Sequence, residues 1–156
     1  MIHIQIPGVG EKRISHVVFD YNGTIAKDGI LIPGVREEMA AFSDKLSFHV
    51  ITADTFGFVQ KELSGIHCSI TIIPEKDQAE AKLEFVRRLG PDQALCVGNG
   101  SNDRLMLKEA AIGIAVLQEE GLAVTSLLAA DLLVKNILDV FGFFRTPDRL
   151  RASLRT

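Results

Sequence analysis

The residues able to do chemistry stand directly after apolar runs. Asp20 closes HVVFD and opens Tyr21-Asn22-Gly23-Thr24. Thr52 closes SFHVIT and leads into Ala53 and Asp54. Gly98-Asn99-Gly100-Ser101-Asn102-Asp103 follows ALCV, and Lys76 and Lys82 introduce and line the helical stretch before it. In sheets built from alternating strands and helices, ligands collect beyond the carboxyl ends of the strands. A carboxylate, a hydroxyl, an ammonium and a second acidic loop converging there suit phosphoryl transfer. The carboxylate attacks, the hydroxyl and ammonium hold phosphate oxygens, and a hard cation bound through oxygen offsets the charge.

The elements that must position these residues follow from hydrophobic periodicity. Ile2, Ile4 and Ile6 alternate with His3 and Gln5, and PGVGEK supplies a turn, so a hairpin with the next strand, about residues 15–20, is expected. That strand is nearly continuously apolar, as a central parallel strand covered on both faces should be. Helical spacing over 35–45, the strand LSFHVITA, a short helix over 56–63 and the strand CSITII follow. A helix over 77–89 stops at Gly90-Pro91 and leads into the strand ALCV. Ser101 or Asn102 caps NDRLMLKEAA, AIGIAV is a strand, 120–130 a helix, DLLV a strand and 136–144 a helix. The alternation predicts an α/β fold, a doubly wound three-layer αβα sheet of parallel strands preceded by an N-terminal hairpin, in one domain spanning 1–156.

Composition narrows the partners. The chain of 156 residues is 47% hydrophobic with a formal net charge of −3, which argues for a well-cored globule and against nucleic acid or an anionic membrane surface. The arginines of FRTPDRLRASLRT read as a solvated helix face. Cys68 and Cys96 have no metal or redox spacing, and no run of eighteen uncharged apolar residues occurs. A reducing, cytoplasmic setting is expected. The four histidines lack carboxylates at ligand spacing and read as packed or surface imidazoles. Asn22-Gly23 after an apolar run is also a strong hairpin-turn signal, so DYNGT taken alone is equally a tight turn.

Taken in order, DYNGT, TAD, a lysine and GNGSND resemble the four motifs of the haloacid dehalogenase (HAD) superfamily, DxDGT, a strand-end Thr or Ser, a Lys and GDGxND. NDRLMLKEAAIGIAV…LLAADLLV is similar to the segment after the fourth motif in P-type ATPase phosphorylation domains, and KLEFV places Val86 four residues after Lys82 as those domains do. Soluble P-type-ATPase-like proteins are the nearest resemblance, with Lys82 preferred to Lys76 as the third-motif lysine. The resemblance implies that Asp20 is the nucleophile and that Gly23, Thr52, Ala53 and Lys82 bind phosphate. It implies that Asp20, the Asn22 backbone carbonyl, Asn99 and Asp103 hold Mg²⁺.

Two departures mark this sequence. Asn22 stands where phosphatases of the superfamily carry a general acid–base, and an amide cannot supply that contribution of roughly 10²–10⁴-fold. Asn99 stands where an acidic residue ligates the metal, and a neutral oxygen binds a hard dication more weakly. The expected activity is slow Mg²⁺-dependent phosphoryl transfer, with a catalytically degenerate binding or regulatory domain as the alternative. Only ten residues separate Thr24 from Val35 and 29 separate Thr52 from Lys82, so neither usual insertion point holds a cap domain. The resemblance then implies an open mouth, a small phosphorylated substrate or a phosphoprotein, and a homo-oligomer.

Overall fold

The computed structural model describes residues 1–53 and 57–156. β1 (Ile2–Ile6) and β2 (Gly10–Ile14) form an antiparallel pair. Next come β3 (His16–Asp20), the short antiparallel pair β4 (Ala26–Lys27) and β5 (Ile30–Leu31), and α1 (Val35–Phe42). β6 (Ser47–Thr52), α2 (Phe58–Glu62), β7 (Cys68–Ile72) and α3 (Gln78–Leu89) follow. β8 (Ala94–Gly98) leads through a 3₁₀ turn at Ser101–Asp103 into α4 (Arg104–Glu109). The chain ends with β9 (Ile112–Val116), α5 (Val124–Leu127), β10 (Leu132–Val134), α6 (Ile137–Arg145) and α7 (Asp148–Leu154). Six parallel strands form the central sheet in the order β10-β9-β8-β3-β6-β7. The expected α/β sheet with helices on both faces and an N-terminal strand pair is what forms.

Strand alternation decides which face each residue serves. Val17 and Phe19 of β3 join Phe48, Val50, Leu95, Val97 and Ile114 in one core, closed by α1 and α6 through Met39, Phe42, Phe141 and Phe144. Val18 points the other way, into a second core with Ile51, Cys96, Val86 of α3 and Met106 and Leu107 of α4. Asp20 shares the parity of Val18, so the last residue of β3 faces α3 and α4. On α3 the buried stripe is Ala79, Lys82 and Val86, spaced i, i+3, i+7, so Lys82 occupies a position that packing would otherwise give to an apolar residue.

Two expectations are corrected. The first strand pairs with Gly10–Ile14, not with the strand at 15–20, because GEKRI keeps a half-exposed alternation while His16–Asp20 is covered on both faces and belongs to the central sheet. The helix expected over 120–130 shrinks to Val124–Leu127. Gly121 takes φ 83 and Ala123 N donates to Asn99 O at 2.8 Å, which holds the chain before α5 as a loop beside β8. The pair β4–β5 was not expected; Asp28 and Gly29, both at positive φ, turn it tightly. The start of the helix expected over 56–63, and Asp54, lie outside the described residues.

A row of polar groups crosses three strands toward the amino-terminal half of the sheet. His16 Nδ1 lies 3.2 Å from His49 Nε2, and His49 Nδ1 lies 2.7 Å from Ser69 Oγ. Burial lowers both imidazoles, and the neighbouring His16 adds to the effect on His49, which falls to about 4. The folded state therefore prefers both rings neutral. Their contribution is intact above the ordinary histidine range near 6.5 and is lost as pH falls from there to about 4. Denaturant unfolding at pH 7 and pH 4.5 should show a loss of about 1–2 kcal/mol from this pair, the half-exposed rings being partly screened by water, and His49→Gln should flatten that slope.

Candidate active site

Asp20, at the end of the central strand β3, is 9% exposed. Its Oδ1 accepts a hydrogen bond from Lys82 Nζ at 2.5 Å, and the same ammonium donates to Asp103 Oδ1 at 2.6 Å. Lys82 is 1% exposed and Asp103 is fully buried. Two carboxylates thus share one ammonium in the dry wedge between β3, α3 and the loop after β8.

The loop after β8 is shaped to deliver Asp103. Its Oδ2 accepts from the backbone N–H of Asn99 at 2.9 Å and of Gly100 at 2.8 Å, closing a tight turn back toward the strand end. A Cβ at Gly98 would strike the Asp103 carboxylate, so only glycine allows β8 to end there. Asn102 Nδ2 donates to Gln78 Oε1 at 2.6 Å, fastening this loop to the first residue of α3. The helix carrying Lys82 and the turn carrying Asp103 are therefore held together at a second point.

Burial raises Lys82 desolvation cost and by itself would lower its pKa; the charges of Asp20 and Asp103 outweigh it and hold the ammonium above its ordinary value. Asp103 is pushed up to about 7, first by burial and then by the Asp20 charge, against the opposing pull of Lys82. The wedge carries more negative charge than one ammonium can balance. Among the described residues no three His, Cys, Asp or Glu side chains converge as a preformed metal cage.

Thr24, named in sequence only as part of DYNGT and given no role there, joins the two halves of the site. Its Oγ1 lies 3.3 Å from Asp20 Oδ2 and 3.2 Å from Asn99 Oδ1, and the residue is fully buried. The other end of the Asn99 amide donates from Nδ2 to Gly121 O at 3.1 Å. Gly23, at φ 80, packs so closely on the Asn99 side chain that a Cβ would overlap it. Thr52 ends β6 one residue beyond the partner of Asp20 in the β3–β6 register and is 4% exposed, with Ala53 next to it packed on the second core. Lys76 is exposed in the loop before α3.

Asn22 is turned elsewhere. It is exposed, and its Oδ1 accepts from Gly29 N at 3.0 Å, so the side chain pins the β4–β5 turn and does not join the Asp20 cluster. Gln118, also missed in sequence, donates from Nε2 to the Thr24 and Gly23 carbonyls at 2.8 and 3.2 Å and accepts from Ile137 N at 2.9 Å. Nothing in the local sequence marks it, because it acts through backbone groups distant in the chain. The hairpin is further tied down by a Lys27–Glu119 ion pair and by Asp28 N donating to Glu120 Oε1 at 2.8 Å. Between the hairpin and the ends of β9 and β10 lies a cavity of about 550 Å³, bounded by Gly23, Ile30, Ile32, Gln118 and Lys135.

No family model matches the chain. Over 74 residues, 47% of this chain and 80% of the relative, it is 36% identical to the uncharacterized protein MJ0073 of Methanocaldococcus jannaschii. Among solved structures it is similar to 3-deoxy-D-manno-octulosonate 8-phosphate phosphatase from Moraxella catarrhalis, in complex with magnesium ion, phosphate ion and KDO. That match has a TM-score of 0.67 and 16% identity over 92% of this chain and 95% of that one. A cobalt-bound deoxy-D-mannose-octulosonate 8-phosphate phosphatase from Haemophilus influenzae gives 0.65 and 12% identity over 88% and 96% of the two chains. A phosphoserine phosphatase in apo form gives 0.63 and 13% identity over 86% and 99%. No helix among the described residues is long and apolar enough to cross a membrane. The chain has the fold of the haloacid dehalogenase superfamily and belongs, by shared sequence, to the same family as the Methanocaldococcus protein.

Proposed function

We propose that this protein is a slow phosphatase-like hydrolase acting on a phosphomonoester through the Asp20 carboxylate. The observation that carries the reading is the buried Asp20–Lys82–Asp103 cluster at the mouth of the sheet, with Lys82 Nζ 2.5 Å from the Asp20 carboxylate. An ammonium there orients the nucleophile and offers hydrogen bonds to phosphoryl oxygens, and the hydroxyls of Thr24 and Thr52 and the backbone of Ala53 offer more, whereas the Gly23 N–H expected to do so donates to Ala26 O at 2.7 Å. An Asp20 oxygen attacks phosphorus and the bond from phosphorus to the leaving oxygen breaks. That oxygen takes its proton from solvent, since the Asn22 amide has none to give. Water then attacks the phosphorus of the aspartyl-phosphate, restoring the Asp20 carboxylate and releasing inorganic phosphate.

The residues suit a divalent cation such as Mg²⁺. The buried cluster has one more carboxylate than ammonium, and burial first and then the Asp20 charge push Asp103 upward. Asp20, Asp103, the Asn99 amide oxygen and the Asn22 carbonyl would hold it, and when bound it supplies charge neutralisation at the phosphoryl oxygens. The phosphatases named above, one described with magnesium and phosphate and another with cobalt, support the same reading. The short connections that leave no room for a cap domain support a small phosphorylated substrate or a phosphorylated protein side chain as the substrate class.

A second reading, a degenerate domain that binds a phosphorylated ligand or partner without turnover, is favoured by one observation. Both substituted amides are engaged in structure, Asn22 on Gly29 and Asn99 on Thr24 and Gly121. Phosphorylation by acetyl phosphate separates the two readings. The enzyme should take up an acid-stable, hydroxylamine-sensitive label that Asp20→Asn abolishes; binding of phosphate with no label in the wild type supports the degenerate domain.

Removing the shared ammonium should be costly. Lys82→Met leaves Asp20 and Asp103 facing each other without a counter-charge, and urea unfolding without divalent ions should register a loss of about 3–5 kcal/mol. Lys82→Met with Asp103→Asn should recover a large part of it. Asn99→Asp points a carboxylate oxygen at Gly121 O in place of a donor, so it should lose about 1–3 kcal/mol in chelator. Millimolar Mg²⁺ should restore that stability, measured by thermal shift. Asn22→Asp, once its side chain leaves the Gly29 N–H and turns toward Asp20, should raise steady-state hydrolysis of p-nitrophenyl phosphate toward the roughly 10²–10⁴-fold that a general acid–base supplies. An unchanged rate in a metal-loaded, folded Asn22→Asp variant would count against the role given to that position.

A further inference from the structure

The outer edge of the central sheet at β7 has no part in the chemistry above. β7 pairs in parallel with β6 on one side, and among the described residues no strand lies on the other. Proteins that keep such an edge to themselves shorten it, bulge it, or place lysine or proline on it. β7 does none of these. It runs Cys-Ser-Ile-Thr-Ile in unbroken register with β6, carries no charge, and leaves Ile72 42% exposed. The opposite edge, β10, is three residues long and lies between Asp131 and Lys135.

The backbone phase of β7 is set by Ile73 N donating to Thr52 O at 2.9 Å. By strand alternation Thr71 and Ser69 then turn their peptide groups toward β6, and Ile70 and Ile72 turn theirs outward. The segment reads almost the same in both directions: apolar, hydroxyl, apolar, hydroxyl, apolar, with the Cys68 thiol as the small apolar end. Burial raises the pKa of that thiol, so it stays neutral in the strand.

We propose that β7 is a self-association edge, where a second copy of this chain pairs antiparallel about a two-fold axis through Ile70. The two six-stranded sheets then run into one. Ile70 meets its own counterpart as a hydrogen-bonded pair, Ile72 lies opposite Cys68 of the second copy, and Ser69 lies opposite Thr71. Each cross-strand pair matches in polarity, and no like charges meet. A parallel pairing of two β7 edges about a two-fold axis would set N–H against N–H and C=O against C=O at every outward residue, so only the antiparallel pair is both symmetric and hydrogen-bonded. The occupant is thus this chain itself, in a closed pair.

Sedimentation velocity on the full chain, from low to high micromolar, should show reversible dimers. Ile72→Lys alters a side chain that is already exposed; circular dichroism should remain unchanged while the dimer weakens about tenfold or more. The register is read by disulfide trapping in a Cys68→Ser background. Ser69→Cys with Thr71→Cys should give a covalent dimer on mild oxidation, because a non-hydrogen-bonded antiparallel pair brings the two Cα atoms to about 4.5 Å. Ser69→Cys alone should not. A chain that stays monomeric at high micromolar concentration overturns the proposal. So does a dimer indifferent to Ile72→Lys, or one that the paired cysteines fail to trap.

Discussion

The structure turns on one buried ammonium held between two carboxylates. Taking Lys82 out of water costs several kcal/mol, and only the near contact of Asp20 and Asp103 returns it. That constraint propagates outward. Lys82 must be on the buried stripe of α3, so α3 must lie against the face of the sheet to which Asp20 points. Asp103 must come to the same place from the loop after β8, so β8 must end in a glycine and the loop must turn on its own backbone N–H groups. The central position of β3, with β8 on one side and β6 on the other, is what allows the three strand ends to contribute to one crevice.

The two asparagines follow from the same electrostatics. With Asp20 and Asp103 already in surplus over Lys82, a third carboxylate at 99 would add repulsion in a largely buried pocket. The amide removes the charge and gains a donor, which meets the Gly121 carbonyl, while its oxygen receives Thr24. Asparagine at 99 is therefore stable without a cation, where aspartate would need one. At 22 the logic is different, because the side chain lies outside the cluster and accepts from Gly29 N–H. There the residue governs the hairpin over the cavity more directly than it governs charge at Asp20.

Much of this was legible in the sequence because it was written in local patterns. The short apolar runs marked β3, β6, β8 and β9, and polar residues at or just beyond their carboxyl ends marked Asp20, Thr52 and Asp103. Lys82 was legible through the resemblance of KLEFV to the third motif, with Val86 four residues on, and the structure places both on the buried stripe of α3. What stayed hidden depends on partners remote in the chain. Thr24 looks like any turn hydroxyl until Asn99 is beside it, and Gln118 acts on carbonyls of residues 23 and 24 and on the first N–H of α6. The stretch from 120 to 130 has helical composition, yet its first residues remain a loop because Asn99 O captures Ala123 N and Gly121 adopts a left-handed turn. The β4–β5 hairpin is too short to show a period.

Those hidden residues connect the reacting group to the rest of the crevice. Gln118 bonds to the carbonyls immediately before and at Thr24, and Thr24 bonds to Asp20, so the chain from α6 to the nucleophile passes through only two side chains. The same Gln118 and Gly23 form the wall between the Asp20 wedge and the cavity under the hairpin. Opening the hairpin would break the Asn22–Gly29 bond, the Lys27–Glu119 pair and the Asp28–Glu120 bond, all exposed and each worth little in water. The Asp20–Lys82–Asp103 contacts would survive, because they belong to the sheet and α3. The fold thus separates a rigid reacting centre from a weakly fastened rim, which is the division of labour that lets a crevice admit a ligand without loosening the group that must meet it.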